Sequence, residues 1–260
     1  MNGSALITGA ATRIGKEMAL GLAAQGKNIV VHYMNSKKEA EQVVLEAKSY
    51  GVRAECIKAD LLKDTEVSGL ISGASSLIGN PLDVLVNNAS IFEYDNIDTA
   101  SIDSWDRHIG TNLKAPLFLM QEFSRQVPDG IVDSKGEYLS QANIVNIVDQ
   151  RVLKKTPEFF TYSLAKMGLW SLTQTAAQAL APKIRVNAIG PGPTIQGHRQ
   201  KEDHFKKQRK NTVLKRGSAP NEILAALTFI LNTPSITGQL ICIDGGQHLA
   251  WKTLDILGLE

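Results

Sequence analysis

Short runs rich in Val and Ile alternate with longer amphipathic stretches along nearly all of this 260-residue sequence. That rhythm constrains the fold more than any other feature. The apolar runs cover residues 5–8, 28–33, 53–58, 82–86, 143–148, 185–188 and 240–243, each short enough to be a strand rather than a buried helix segment. Between them, stretches such as 15–25, 37–49 and 160–180 carry helical patterns. Such alternation builds a parallel sheet with helices on both faces. The expected fold is α/β, a single domain over residues 1–260 with a doubly wound parallel sheet of about seven strands. We find no internal repeat and no linker.

Charge excludes some partners. Twenty-eight Lys+Arg against 26 Asp+Glu give a net charge of +2, too little to argue for nucleic acid or a membrane surface. No apolar run approaches the roughly 20 residues of a membrane span. Met1-Asn2-Gly3-Ser4 leads straight into a strand, leaving no room for a cleavable signal, and Cys56 and Cys242 lie in apolar stretches and read as buried thiols. A cytoplasmic protein is expected. Residues 128–141 are polar and turn-rich and read as a surface excursion. Residues 198–216 hold eight Lys/Arg against two acids, either a solvated helix and loop or a lid that attracts an anionic ligand.

The first strand runs into Thr8-Gly9-Ala10-Ala11-Thr12-Arg13-Ile14-Gly15 and then a helix. Glycine at the turn lets backbone approach a pyrophosphate, and the helix N-terminus offers unpaired N–H groups. Gly9, Arg13, Ile14 and Gly15 therefore read as a dinucleotide turn. Arg13 occupies the middle position of the glycine set, where its guanidinium either reaches a phosphate or planar ligand or faces solvent. A site for NAD places an acid about 20 residues on to hold the ribose 2′-hydroxyl. Here the second strand ends His32-Tyr33-Met34-Asn35-Ser36-Lys37-Lys38, with no acid before Glu39. Asn35, Ser36 and Lys37 suit a 2′-phosphate, so NADPH is the expected cofactor.

Further motifs follow in order. Asp60 and Leu61 come after the third strand, Asn87-Asn88-Ala89-Ser90 after the fourth, and Asn112 lies mid-helix, four residues before Pro116. Tyr162-Ser163-Leu164-Ala165-Lys166 forms Tyr-x-x-x-Lys, Pro191-Gly192 with Thr194 follows the sixth strand, and Asp244-Gly245-Gly246 closes the last. Together they resemble the short-chain dehydrogenase/reductase family over nearly the whole chain. The resemblance implies a Rossmann-type fold. It also implies cofactor contacts from Asp60, Leu61, Asn88, Ala89, Ser90, Pro191, Gly192 and Thr194. Tyr162 would be the proton donor, Lys166 would hold the nicotinamide ribose, and Asn112 would organise a relay water. Tyr and Lys at i and i+4 share one helix face, so the ammonium is expected beside the phenol. Lowering a phenol from about 10 to about 7 takes roughly 4 kcal/mol, which a neighbouring cation and the positive nicotinamide are expected to supply.

One departure is informative. Where the family carries serine, thirteen residues before the tyrosine, this chain has Asp149. An ionised aspartate there raises the phenol pKa and opposes the lysine. Asp149 therefore binds a proton, or serves a substrate that offers a donor or takes a proton at nitrogen, or turns to water. Pteridine reductases, one branch of the family, resemble the chain here. They too carry arginine in the glycine turn, as Arg13, serine followed two residues later by phenylalanine, as Ser90 and Phe92, and aspartate for serine, as Asp149. The resemblance implies a pterin between Phe92 and the nicotinamide, ringed by Arg13, Ser90, Asp149 and Tyr162. A flat, nitrogen-rich ring wants an aromatic face and hydrogen-bonding groups at its edge; otherwise Phe92 packs on a core edge.

Three functions stay open. The first is an NADPH-dependent pteridine reductase that uses Asn112, Asp149, Tyr162 and Lys166, with no metal, to transfer hydride to a ring C=N. The second is a general carbonyl reductase acting, for example, on 3-oxoacyl thioesters. The third is a non-catalytic NADPH-binding sensor. A helix over 194–211 is expected to line the substrate pocket. By resemblance, helices around 101–125 and 160–180 are expected to pair in a homotetramer, and the tail 247–260 to cover a neighbour's pocket.

Overall fold

The computed structural model describes residues 3–197 and 200–251. The strands are β1 (Ser4–Ile7), β2 (Asn28–Tyr33), β3 (Ala54–Lys58), β4 (Val84–Asn87), β5 (Ile131–Val132), β6 (Tyr138–Leu139), β7 (Ala142–Ile147), β8 (Ile184–Pro191) and β9 (Leu240–Ile243). The helices are α1 (Arg13–Ala24), α2 (Lys37–Lys48), α3 (Asp64–Ile78), α4 (Ile102–Ile109), α5 (Ala115–Gln126), α6 (Phe160–Leu180), α7 (Glu202–Lys210) and α8 (Pro220–Asn232).

Seven strands form a parallel sheet in the order β3-β2-β1-β4-β7-β8-β9. Ala5 of β1 pairs with Ile29 on one side and Val84 on the other. The chain winds outward from β1 to β3, returns to β4 beside β1, and winds the other way. In doubly wound sheets that reversal opens a crevice at the carboxyl ends of the strands, where ligands bind. Alternate residues of each strand serve opposite layers. Ala5 and Ile7 pack with Met18, Leu22, Val43, Ile223 and Leu227 from α1, α2 and α8. Leu6 packs with Leu70, Ile71, Leu119 and Phe123 from α3 and α5. Burial on both faces explains the unbroken apolar runs, and each large aliphatic side chain so buried contributes about 1.5–3 kcal/mol. Among the described residues, no helix is long and apolar enough to cross a membrane.

The expected strands and helices are present, with four differences. β8 runs on through Gly190 and Pro191, which pair with Cys242 and Ile243 of β9. The excursion at 128–141 contains the antiparallel hairpin β5-β6. The helix expected over 194–211 is only α7: Pro193 and Gly197 disfavour an earlier start, and Glu202 and Asp203 in its first turn with Lys207, Arg209 and Lys210 in its last suit the helix dipole. His198 and Arg199 of the basic stretch, and residues 252–260 of the tail expected over a neighbour's pocket, lie outside the described residues. Lastly, Cys56 and Cys242 are half-buried and unpaired rather than fully buried.

Candidate active site

The chain turns after β1 at Gly9, whose φ of +62° lies in the left-handed region. The Gly9 N–H donates to His32 Nδ1 at 3.0 Å. Nδ1 is thus the acceptor, and Nε2 carries the ring proton toward the Ala59 carbonyl at 3.0 Å. Burial pulls the His32 pKa down to about 4. One neutral imidazole at the end of β2 therefore fixes both the turn after β1 and the turn after β3.

Thr8 Oγ1 accepts the N–H groups of Asn88 and Ala89 at 2.9 and 3.0 Å. Asn88 Nδ2 donates to the Thr8 and Gly9 carbonyls at 2.8 and 3.1 Å. A Cβ at Gly15 would stand 2.4 Å from the Gly9 oxygen and 2.6 Å from Asn88 Nδ2. The half-buried Ile14 packs against the core beside it. α1 begins with no side-chain cap and no acid in its first turn, leaving its N–H groups and positive dipole end for an anion. A pyrophosphate fits this cradle. Across the crevice, the Gly192 N–H donates to the Ile243 carbonyl at 2.9 Å, and a Cβ at Gly192 would stand 2.6 Å from Asp244 Cα. Thr194 Oγ1 donates to the Gly192 carbonyl at 3.0 Å. At the end of β3, Asp60 Oδ1 accepts the Leu62 N–H at 3.0 Å, beside the buried Leu61.

Two basic residues singled out in the sequence make contacts within the chain. Arg13 has a φ of +56° and its guanidinium donates to the Ile195 and Gln196 carbonyls at 3.0 and 2.9 Å. It ties the glycine turn to the loop after β8 while remaining exposed. Lys37 pairs with Glu41 at 3.6 Å on the exposed side of α2. An open cavity of about 410 Å³ beside the glycine turn is lined by Ala11, Thr12, Arg13, Lys16, Lys38, Glu39 and Gln42, so one carboxylate stands among its three cations; Asn35, Ser36 and Lys37 are not among its walls. The helical phase of α2 turns Lys38 toward that cavity, and sequence alone gave no reason to prefer it over Lys37.

On α6 the Tyr162 hydroxyl donates to Asp149 Oδ2 at 2.9 Å. Asp149 also accepts from Arg151, through the backbone N–H at 2.9 Å and Nη1 at 3.2 Å. The Arg151 guanidinium carbon lies 4.9 Å from the Phe159 ring centroid and 5.4 Å from that of Phe92. Phe92 and Phe159 stack with centroids 4.4 Å apart, and Phe92 meets Tyr162 edge-on at 4.7 Å. Ser90 Oγ donates to the neighbouring Ile91 carbonyl at 3.2 Å. Arg151 and Phe159 were missed from sequence; the Asp-x-Arg spacing after a strand was the one available signal.

Lys166 departs from expectation. Its ammonium donates to the Ile147 carbonyl at 2.8 Å and stands 5.8 Å from the Tyr162 ring centroid. Burial first, then Asp149, push the phenol well above the ordinary tyrosine range, against a smaller opposing pull from Arg151. Burial also pulls Lys166 down to about 8, with Asp149 opposing. Among the chain's own groups, the lysine does not offset these influences on the phenol. The opposition foreseen from Asp149 is the stronger influence.

Asn112 lies in a π-helical turn, Gly110–Lys114, between α4 and α5. Pro116 has no N–H to give the Asn112 carbonyl four residues earlier, so the α-helical ladder breaks there. The Asn112 side chain clasps the Ile91 backbone: Oδ1 accepts the Ile91 N–H and Nδ2 donates to the Ile91 carbonyl, each at 2.9 Å.

The sequence matches the profile of the short chain dehydrogenase family across residues 4–207. The chain belongs to that family. Among solved structures, this short chain dehydrogenase is similar to FolM alternative dihydrofolate reductase 1 from Brucella suis in complex with NADP, with a TM-score of 0.91, 41% identity and 98% of each chain covered. The Brucella canis counterpart, complexed with NADP, gives 0.89 and 40%, covering 99% of this chain and 98% of that one. The 3-oxoacyl-(acyl-carrier-protein) reductase FabG of Staphylococcus epidermidis is 35% identical over 254 residues, 96% of this chain and all of that protein. These likenesses agree with the family read from the motifs and with its pteridine-reductase-like branch.

Proposed function

We propose that the protein is an NADPH-dependent reductase of a pteridine ring. The observation that carries this reading is the Tyr162 hydroxyl held on Asp149 Oδ2 at 2.9 Å, beside a Phe92 ring that keeps 47% of its surface exposed. A carboxylate in this position suits a ring edge that presents N–H groups, and it suits a bare carbonyl poorly. The Brucella relatives named as dihydrofolate reductases support the same substrate class, since dihydrofolate contains a pteridine.

The glycine turn, the uncapped start of α1, and Arg13, Lys16 and Lys38 would hold NADPH, and the NADP complexes of the relatives support that cofactor. When bound, NADPH supplies a hydride. The chain's own residues do the rest. Phe92 offers a flat face to the ring, with Ser90 and Asp149 at its edge. Tyr162 keeps its proton across the working pH range and gives it to the ring nitrogen as the C=N bond is reduced. Arg151, the group that opposes Asp149 at the phenol, offsets the phenolate left behind; Lys166 would hold the nicotinamide ribose, and Asn112 would organise a water through which the proton is replaced.

A carbonyl reductase is the second reading, favoured by the FabG likeness. Purified protein given NADPH with a dihydropterin, and separately with a 3-oxoacyl thioester, separates the two. Oxidation of NADPH by the dihydropterin is expected; oxidation by the thioester alone would replace the first reading with the second. Ile102, Trp105, Leu117 and Phe118 on α4 and α5 are exposed, which supports pairing of those helices in a homotetramer.

A further inference from the structure

α6 begins in an unusual way. Phe159, immediately before it, has a φ of +56° and no capping side chain, so the first N–H groups of the helix need partners from elsewhere. Asp95 supplies them from a loop 66 residues away in sequence. Its carbonyl accepts the Phe160 N–H at 3.2 Å, its Oδ1 the Thr161 N–H at 3.1 Å, and its Oδ2 the hydroxyls of Thr161 at 2.5 Å and Ser104 at 3.1 Å.

Behind Thr161 lies His108, fully buried on α4. The Glu93 N–H donates to His108 Nε2 at 3.2 Å. Nδ1 therefore carries the proton and donates to Thr161 Oγ1 at 2.7 Å, and the threonine hydroxyl donates onward to Asp95. The chain from Glu93 N–H through His108 and Thr161 to Asp95 runs one way and has no alternative direction, because a backbone N–H cannot accept. The His108 ring also meets the Tyr162 ring edge-on at 6.0 Å.

This buried chain joins two segments that bound the site. Glu93 and Asp95 belong to the loop that carries Ser90 and Phe92, and Thr161 immediately precedes Tyr162. We propose that Asp95, Thr161 and His108 are positioning residues that set where Phe92 stands against Tyr162, and so determine how well a flat ring is seated on the Phe92 face. The inference rests on the reading that Phe92 and Tyr162 bound the substrate. None of these hydrogen bonds includes a residue of the glycine turn, so the chain is expected to govern substrate more than cofactor.

Thr161→Val removes the hydroxyl at nearly constant shape, and Thr161→Ser restores it. With whichever of a dihydropterin and a 3-oxoacyl thioester the wild type reduces, Thr161→Val is expected to raise KM or lower kcat/KM by roughly tenfold to a hundredfold, as a misplacement of about 1 Å does. NADPH affinity should stay within about twofold, and Thr161→Ser should recover most of the loss. Should Thr161→Val fail to fold, Asp95→Asn is used in its place, because an amide has a single accepting oxygen and cannot take the Thr161 N–H on one atom and the Thr161 and Ser104 hydroxyls on the other. Unchanged substrate kinetics in the folded variant, or a parallel loss of NADPH affinity, overturns the inference. If only the thioester is reduced, the pteridine reading fails while this test still runs. A wild type that reduces neither substrate overturns both.

Discussion

Arg151 Nη1 lies 3.2 Å from the same Asp149 oxygen that accepts the Tyr162 hydroxyl. Both side chains of the ion pair are mostly shielded, at 18% and 16% exposure, so Asp149 sits near the phenol only with a cation beside it. Arg151 is also the group that pulls against Asp149 at the phenol. Arg151→Gln is expected to lower kcat/KM for the dihydropterin by about tenfold or more, since hydrogen bonds to charged groups contribute about 1.5–3 kcal/mol. Titration of NADPH binding should be little affected, because Arg151 makes its contacts with Asp149, Phe92 and Phe159 and not with the glycine turn. Wild-type kinetics in Arg151→Gln would remove it from the site.

Lys37 and Lys38 are adjacent in sequence and differ in placement: Lys37 pairs with Glu41, and Lys38 lines the cavity by the glycine turn. Lys38→Glu is expected to cut the preference for NADPH over NADH by about tenfold, roughly 1.4 kcal/mol. Lys37→Glu should change it little. The ratio of kcat/KM for the two cofactors measures this, and a larger effect at Lys37 would contradict the placement.

How much of this was legible beforehand differs from residue to residue. α6 was read to its ends because a long helical pattern is a local property. β8 was cut short because Gly190 and Pro191 read as breakers, and only pairing with β9 keeps them in the sheet. The motif residues were legible from type and spacing. Their partners were not, since a bond such as that from Gly9 to His32 depends on the packed sheet. The influences on Tyr162 were legible in part: Asp149 was foreseen to raise the phenol and does, whereas the opposing Arg151 was not foreseen. Spacing brings Lys166 to the correct face of α6 but cannot reveal that its ammonium binds the Ile147 carbonyl.

His32 gives a stability prediction with a definite sign. Its folded pKa, about 4, lies below the ordinary 6.5, so the unfolded chain binds the extra proton first. The stability due to neutral His32 is present above pH 6.5 and is lost as pH falls from about 6.5 through about 4. The full loss is on the order of 3 kcal/mol. Urea midpoints at pH 7 and pH 5 should separate more for the wild type than for His32→Gln, which has no titrating ring. Equal separations would mean that His32 is not held neutral.

The most direct test of a carboxylate matched to a ring nitrogen compares wild type with Asp149→Ser, measuring kcat/KM for a dihydropterin and for a 3-oxoacyl thioester in each. Pterin reduction by the wild type is expected to fall by roughly a hundredfold or more in Asp149→Ser, the scale of a misplaced proton donor, while thioester reduction holds or rises and NADPH affinity is kept. Equal pterin kinetics in the two proteins, or thioester reduction by a wild type that leaves the pterin untouched, would contradict it.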